Sequence, residues 1–385
     1  RRTTGSRAMN TLTGNYDLTD AVSYHYDKFP PTNLEFEKLI RPLASAPEAL
    51  ARYDQMLAGM HNSEILLAPL RRQEAVVSSR IEGTVSTLDE VLRYEADQGD
   101  DGDIMPLAHY RTEAMEVFLY HNAMRRAQAA MQDGTPISDW FLRSIHKVLL
   151  GFGRGALQAP GKYKDEQNYL VDRTRRKVLF LPISPEHLPL GMEKLFAFMK
   201  NDNHEALIRT ALTHIEFEAL HPFKDGNGRI GRMLITLMLW NMGKISAPHL
   251  YISGYLEERR DEYIERMRDV SRSGAWTEWV VFFLNALEEQ AKYNLRIAEE
   301  IAALYENMKD QFRAILSSKW SITALDFIFS RPVFRNNSFT LKSEIPKPTA
   351  ARFTRVLVEN QLLTTLDPAA GRRPALFAFE PLLEI

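Results

Sequence analysis

The 385-residue sequence contains no cysteine. Disulfides, thiolate metal sites and cysteine nucleophiles are excluded, and a reducing compartment, the cytoplasm, is the expected location. No apolar run approaches the roughly 18–20 residues that a membrane helix needs, so no membrane partner is expected. An excess of one charge is missing too: 48 Lys and Arg stand against 50 Asp and Glu, leaving a formal net charge of −2, so any contact with nucleic acid must be local. Neither a low-complexity tract nor an internal repeat is visible. With 45% hydrophobic and 25% charged residues, the composition is that of an ordinary globular chain long enough for more than one domain. Residues 1–8, Arg1 to Ala8, are polar, lack the apolar core of a signal peptide and precede Met9; they read as an appendage outside the fold.

What is present is helical periodicity, which predicts a mainly α architecture. After a tail (1–30) and an irregular, proline-containing stretch through Pro47, helices are expected over 48–60 and from Ser63 to Ile81, the latter stopped by Gly83. Ser86 and Asp89 open another helix that runs to about Asp97, and the Gly/Asp-rich stretch 98–103 closes a first region, 31–104. The second region, 105–290, reads as helices over 107–131, 139–150, 185–201, 204–220, 229–242, 256–272 and 276–289, with one β-hairpin at 168–182. A separate helix over 290–316 leads the last region, 291–385. There, helices at 321–329 and 348–360 and strands at 362–366 and 375–379 predict a small α+β unit, a helix-turn-helix with a wing. In its second helix Phe353, Val356 and Leu357 are expected to face the core and Thr349, Arg352 and Arg355 to face outward, with Arg372 and Arg373 at the wing tip. Residues 311–385 hold ten Lys/Arg and six Asp/Glu, a local positive excess.

The chemistry concentrates in His221-Pro-Phe-Lys-Asp-Gly-Asn-Gly-Arg-Ile-Gly-Arg232, set between an amphipathic helix and one that is apolar on nearly every side. Gly226, Asn227 and Gly228 tolerate positive φ, so successive N–H groups can converge as an anion nest at the start of the following helix. Arg229 and Arg232 add cationic forks suited to phosphate oxygens, and Asp225 is a hard carboxylate of the kind that holds Mg²⁺ together with substrate phosphates. His221 titrates nearest neutrality and is the candidate base for a hydroxyl nucleophile. These parts imply nucleotidyl or phosphoryl transfer.

At every specified position the segment resembles the motif of the Fic family, His-x-Phe-x-[Asp/Glu]-Gly-Asn-Gly-Arg-x-x-Arg. The resemblance implies a Fic helical core over 105–290 and a protein adenylyltransferase with ATP as substrate and Mg²⁺ as cofactor. His221 would deprotonate a Ser, Thr or Tyr hydroxyl of a target protein, and Phe223 would anchor the loop. Asp225 would bind Mg²⁺, the Gly226, Asn227, Gly228, Arg229, Ile230, Gly231 and Arg232 stretch would hold the nucleotide, and Tyr263 would contact adenine. The hairpin resembles the flap over a Fic site, with Tyr169, Leu170, Val171, Val178 and Leu179 docking the target's backbone; Lys164 stands where relatives commonly have arginine.

A second segment, Ser78-Ser-Arg-Ile-Glu82-Gly83, matches the family's inhibitory signature. Ser78 and Glu82 share one helix face, and Gly83 ends the helix without a side chain, so Glu82 can pair with Arg232 in the place of a γ-phosphate. Low resting activity is implied, and relatives also suggest AMP removal, self-modification and a homodimer. The competing reading is a regulator that binds DNA through the winged helix while the Fic region senses nucleotide.

Overall fold

A computed structural model describes residues 6–9, 16–98, 111–201 and 203–385. The Gly/Asp-rich boundary from Gly99 onward, the beginning of the helix expected at 107, and residues 1–5 lie outside them.

Two short strands, β1 (Ser6–Met9) and β2 (Val22–Ser23), precede helix α1 (Phe36–Gly59), and Ser6 to Ala8, expected outside the fold, belong to the first of them. The helix begins well before Pro47, contrary to the irregular start expected from its prolines, and includes both Pro42 and Pro47. An internal proline costs about 3 kcal/mol, but the apolar stripe Leu39, Pro42, Ala46, Leu50, Tyr53 and Leu57 keeps helical spacing through it and lies along the long helix α12 (Trp276–Leu316). The next stretch splits at Leu67 into α2 (Ser63–Leu66) and α3 (Ala68–Ile81), because Pro69 suits a first helical turn. Gly83, at φ +87°, turns the chain out of α3. Helix α4 (Leu88–Asp97) is capped by Thr87 and Glu90 in a reciprocal box, one residue beyond the expected Ser86 and Asp89.

Helices α5 (Thr112–Gln132) and α6 (Asp139–Leu149) lead to the hairpin β3 (Tyr169–Asp172) and β4 (Lys177–Leu181). The sheet order is β1-β3-β4-β2. Helices α7 (Leu188–Asn201), α8 (Ala206–Leu220) and α9 (Asn227–Asn241) follow. Nearly every side chain of α8 and α9 is buried, and these two helices are the centre of the main core. The helix expected over 256–272 is two, α10 (Ser253–Glu258) and α11 (Arg260–Ser273), whereas the two expected over 276–316 are the single α12. No breaker interrupts α12, and its buried stripe continues through Ala291, Asn294, Ala298 and Ile301. Its first half packs in the main core, where the Trp279 indole donates to the Ala211 carbonyl (2.8 Å); its second half is the spine of a separate C-terminal core.

That C-terminal unit runs α13 (Ser321–Ser330), β5 (Val333–Arg335), α14 (Asn336–Lys342), α15 (Lys347–Glu359), β6 (Thr364–Asp367), β7 (Leu376–Ala378) and α16 (Glu380–Leu383). The sheet order is β5-β7-β6. Strand β5 and helix α14 leave no signal in the sequence, because elements of three and seven residues carry too few positions to establish a period. Phe353 and Leu357 are buried and Arg352, Arg355, Arg372 and Arg373 are exposed, and two of these outward cations also reach partners in the protein. Arg352 donates to the Leu316 carbonyl (3.1 Å), and Arg373 lies 3.4 Å from Asp97. The sheet seats on α4: Val333, Leu376 and Ala378 meet Leu92, while buried Arg335 donates to Asp97 at 2.6 Å. Leu92→Ala should lower the unfolding free energy by about 2–5 kcal/mol in chemical denaturation, whereas Leu92→Met should change it by less than about 1.5 kcal/mol.

Candidate functional site

The last turn of α8 delivers the chain to His221, which takes the left-handed conformation (φ 45°, ψ 61°). Phe223 follows, fully buried and stacked face to face on His146 of α6, with centroids 3.7 Å apart. Asn227 closes the loop from the other side: its Oδ1 accepts from the Phe223 N–H (2.8 Å) and its Nδ2 donates to the Phe223 carbonyl (2.7 Å). Its amide is therefore spent on the loop, leaving only its backbone N–H for a ligand. Gly226, at φ +80°, starts α9, whose first N–H groups lack carbonyls four residues back.

His146 was not singled out in the sequence. Its Nδ1 accepts from the Gly161 N–H and its Nε2 donates to the Asp225 carbonyl, both at 2.9 Å, so it ties the hairpin's approach to the motif loop. Burial holds its pKa down to about 4, which keeps the ring neutral in this two-sided role. An apolar helix stripe carries no signal that one of its members is a bridge.

His221 is 6% exposed, and its Nδ1 lies 3.3 Å from the Glu218 carbonyl. A carbonyl only accepts, so Nδ1 carries the proton and the Nε2 lone pair is the basic one. Burial, reinforced by the nearby Lys164 ammonium, lowers the ring pKa to about 3. Arg229 is 4% exposed, yet its Nε and Nη1 have no hydrogen-bond partner among the described residues, and its Nη2 stands 3.9 Å from Asp225. A buried guanidinium with unused donors fits an anionic ligand.

Arg232 is 2% exposed and fully engaged with α3. Its Nε donates to Ser78 Oγ (2.8 Å), and its Nη2 donates to the Ser78 carbonyl and to Glu82 Oε1 (both 2.9 Å). A Cβ placed on Gly228 would lie 2.0 Å from Glu82 Oε1, so the carboxylate rests directly against the start of α9. Buried Glu218 lies nearby, and burial, with the charge of Glu82 adding to it, pushes its pKa up to about 8. Glu218 is thus largely protonated at neutral pH, which leaves Glu82 to balance Arg232.

Of these groups, Glu82, Asp225 and Arg229 open on a cleft of about 770 Å³ whose walls also include Arg154, Thr174 and the 257–262 segment. Among the described residues no set of three or more His, Cys, Asp or Glu side chains could cage a metal. One carboxylate, Asp225, at the mouth of an anion nest fits Mg²⁺ arriving with substrate phosphates, since that ion is usually bound by one or two carboxylates plus phosphate and water.

Not every candidate reaches the cleft. Ile230 is 1% exposed and its N–H is taken by the Gly226 carbonyl (3.0 Å), while Gly231 packs against Glu218. Both turn inward because helical geometry brings only Gly228, Arg229 and Arg232 to one face. Tyr263 is 2% exposed, packs near Trp279 and Phe282 and shares a 2.7 Å hydrogen bond with His214; the structure places it in the core, not on the cleft wall. In the hairpin, Val171 and Val178 point inward, and Tyr169, Leu170 and Leu179 are half-buried. β3 pairs antiparallel with β1, and β4 parallel with β2.

Two family descriptions match the chain, Fic/DOC family N-terminal over residues 40–129 and Fic/DOC family over residues 136–239. A probable protein adenylyltransferase of Aquifex aeolicus is 22% identical over 262 residues, 65% of this chain and 75% of that protein. A Fido domain-containing protein of Dictyostelium discoideum is 30% identical over 127 residues, 31% of this chain and 83% of that protein. The protein adenylyltransferase fic-1 of Caenorhabditis elegans, 30% identical over 67 residues, is spanned over only 13% of its length. Among solved structures, a Fic family protein from Desulfovibrio desulfuricans shares the fold with a TM-score of 0.54 at 20% identity, over 91% of this chain and 98% of that one.

The environment of His221 has a measurable consequence. Because burial and a cation both disfavour the imidazolium, the ring should stay neutral as pH falls well below the ordinary histidine range. NMR titration of the His221 ring should give a midpoint below about 5, against about 6.5 for a free histidine.

Proposed function

The chain belongs to the Fic/DOC family, and on that premise we propose that it is a protein adenylyltransferase, moving AMP from ATP to a Ser, Thr or Tyr hydroxyl of a target protein. One observation carries the reading: the imidazole whose Nδ1 proton is held by the Glu218 carbonyl begins a loop that leads, within eight residues, to Asp225 and to a buried guanidinium with two unused nitrogens on a cleft wall.

The target hydroxyl gives its proton to His221 Nε2 while its oxygen attacks the α-phosphorus; the bond to the β-phosphate oxygen breaks and pyrophosphate leaves. The N–H groups at the start of α9 and Arg229 hold the phosphates and stabilise the charge that develops on them. Asp225 would hold Mg²⁺ arriving with the nucleotide, and the ion would supply charge neutralisation for the leaving group. A target strand that pairs with β3 takes the place held by Ser6–Met9 and brings its hydroxyl toward His221.

Glu82 is the brake. Its carboxylate occupies the partner position on Arg232 that a γ-phosphate needs, and its 2.9 Å contact supports that role. The same carboxylate, once released, can orient water for AMP removal. The helix–strand–helix–helix–strand–strand order of the C-terminal unit supports a winged helix. An imidazole base at the nest favours the enzyme over a nucleotide-sensing DNA regulator, which has no use for one.

Glu82→Gly removes a charge-assisted hydrogen bond worth about 1.5–3 kcal/mol and should raise apparent ATP affinity about 10- to 100-fold, with a matching rise in labelled AMP incorporation at low ATP. His221→Ala in that background should lower kcat by about 10²–10⁴-fold. Equal incorporation by the two proteins would exclude His221 as the base.

A further inference from the structure

We propose that Lys164 and Asn168, in the stem of the hairpin, are positioning residues that hold His221 in its reactive orientation. This rests on the adenylyl-transfer reading above. A helix leaves its last carbonyls without intrahelical donors, and at the end of α8 these groups are buried beside the catalytic loop, where water does not serve them. Four successive carbonyls there, those of Leu220, His221, Pro222 and Phe223, all find donors in just two residues of the stem. Lys164 Nζ donates to the Leu220 carbonyl (3.0 Å), Asn168 Nδ2 to those of His221 and Phe223 (3.1 Å each), and the Lys164 backbone N–H to that of Pro222 (2.8 Å).

The two donors are themselves joined, since Lys164 Nζ also donates to Asn168 Oδ1 (2.8 Å). Asn168 is 0% exposed and Lys164 4%, so neither is a surface contact that solvent could replace. The brace is needed at His221 in particular. That residue has a Cβ and sits at φ 45°, a conformation that side-chain-bearing residues adopt only when surrounding contacts over-determine it. With the His221 carbonyl released, the peptide is free to relax toward negative φ, and the imidazole swings away from the hydroxyl it must deprotonate. On the nest side of the loop, Phe223 keeps two hydrogen bonds to Asn227, from its N–H and to its carbonyl, when the Asn168 donor is lost. Loss of the brace therefore acts on the base and spares the nest. It also joins the hairpin to the base mechanically: Tyr169, the first residue of β3, follows Asn168 directly.

The test uses the full chain carrying Glu82→Gly. Asn168→Asp keeps the shape and the acceptor for Lys164 but cannot donate to the two carbonyls; Lys164→Met keeps the length and loses the ammonium. Each should lower kcat on the order of 100-fold, the size of effect produced by a displacement of about 1 Å at a reacting group. ATP affinity, measured by equilibrium binding with Mg²⁺ and without target, should change by less than about 2-fold. Lys164→Arg, which restores a cationic donor, should recover most of kcat. In the His221→Ala background, Asn168→Asp should reduce the residual rate no further, because both changes act through one group.

A fall in ATP affinity in step with kcat would overturn the proposal, making the stem a general support of the loop, and so would an unchanged kcat. Should Asn168→Asp fail to fold, Lys164→Met, which removes one donor of the set, gives the same decision. Failure of the adenylyltransferase reading itself is seen separately, as no AMP transfer by the Glu82→Gly parent.

Discussion

A guanidinium buried at the centre of a helical core must have an anion beside it, and Arg232 is that group. At 2% exposure it cannot be solvated, and an unpaired charge there would be strongly destabilising. The fold meets the requirement with Ser78 of α3 and Glu82 at its end, two residues that lie far from α9 in the chain. The partner is an internal carboxylate, yet a phosphate satisfies the same donors. On the proposed reading, structural stability and nucleotide binding use one electrostatic site, and whichever anion sits there excludes the other.

The surroundings of Arg232 sharpen that exclusivity. Burial pushes Glu218 up to about 8 and Glu74 to about 7, which weakens both as competitors for the positive charge at neutral pH. Gly228 brings the Glu82 carboxylate against the start of α9, where the helix dipole adds to the attraction. Arg260 reaches back to the Ile81 carbonyl and steadies the end of α3, so Glu82 is presented from a fixed helix terminus. The chemical loop is held in the same manner, by hydrogen bonds to backbone groups from His146, Asn168, Asn227 and Lys164. Satisfying buried carbonyls and fixing catalytic geometry are one task in this molecule.

The segment carrying Glu82 also lies between two cores. On one side α3 packs on α5 and α10; on the other, the chain passes through Gly83 into α4, whose outer face holds the C-terminal sheet through Leu92 and the Asp97–Arg335 pair. Helix α12 serves both cores, since a 41-residue helix without a breaker can extend its buried stripe from one into the other. The C-terminal unit is therefore a neighbour of the Glu82 segment in space, although well over two hundred residues separate them in sequence.

The sequence by itself determined the helical class, the hairpin and most of the chemical loop, because each is written in contiguous residues. A period of 3.6 or a run of Gly-Asn-Gly needs no distant partner to be recognised, and the i,i+4 spacing of Ser78 and Glu82 fixes their common face. Its local rules also misled where packing overrode them. Pro42 and Pro47 sit inside α1 because the stripe through them is buried along α12. Ile230 and Gly231, contiguous with true cleft residues, face the interior, and Tyr263 is a core aromatic. Only the tertiary structure decided which side chains meet: His146 with the Asp225 carbonyl, Asn168 with the end of α8, Arg232 with Glu82. Those contacts join residues that share no local pattern, and no periodicity along a chain records which of its buried donors will find which acceptor.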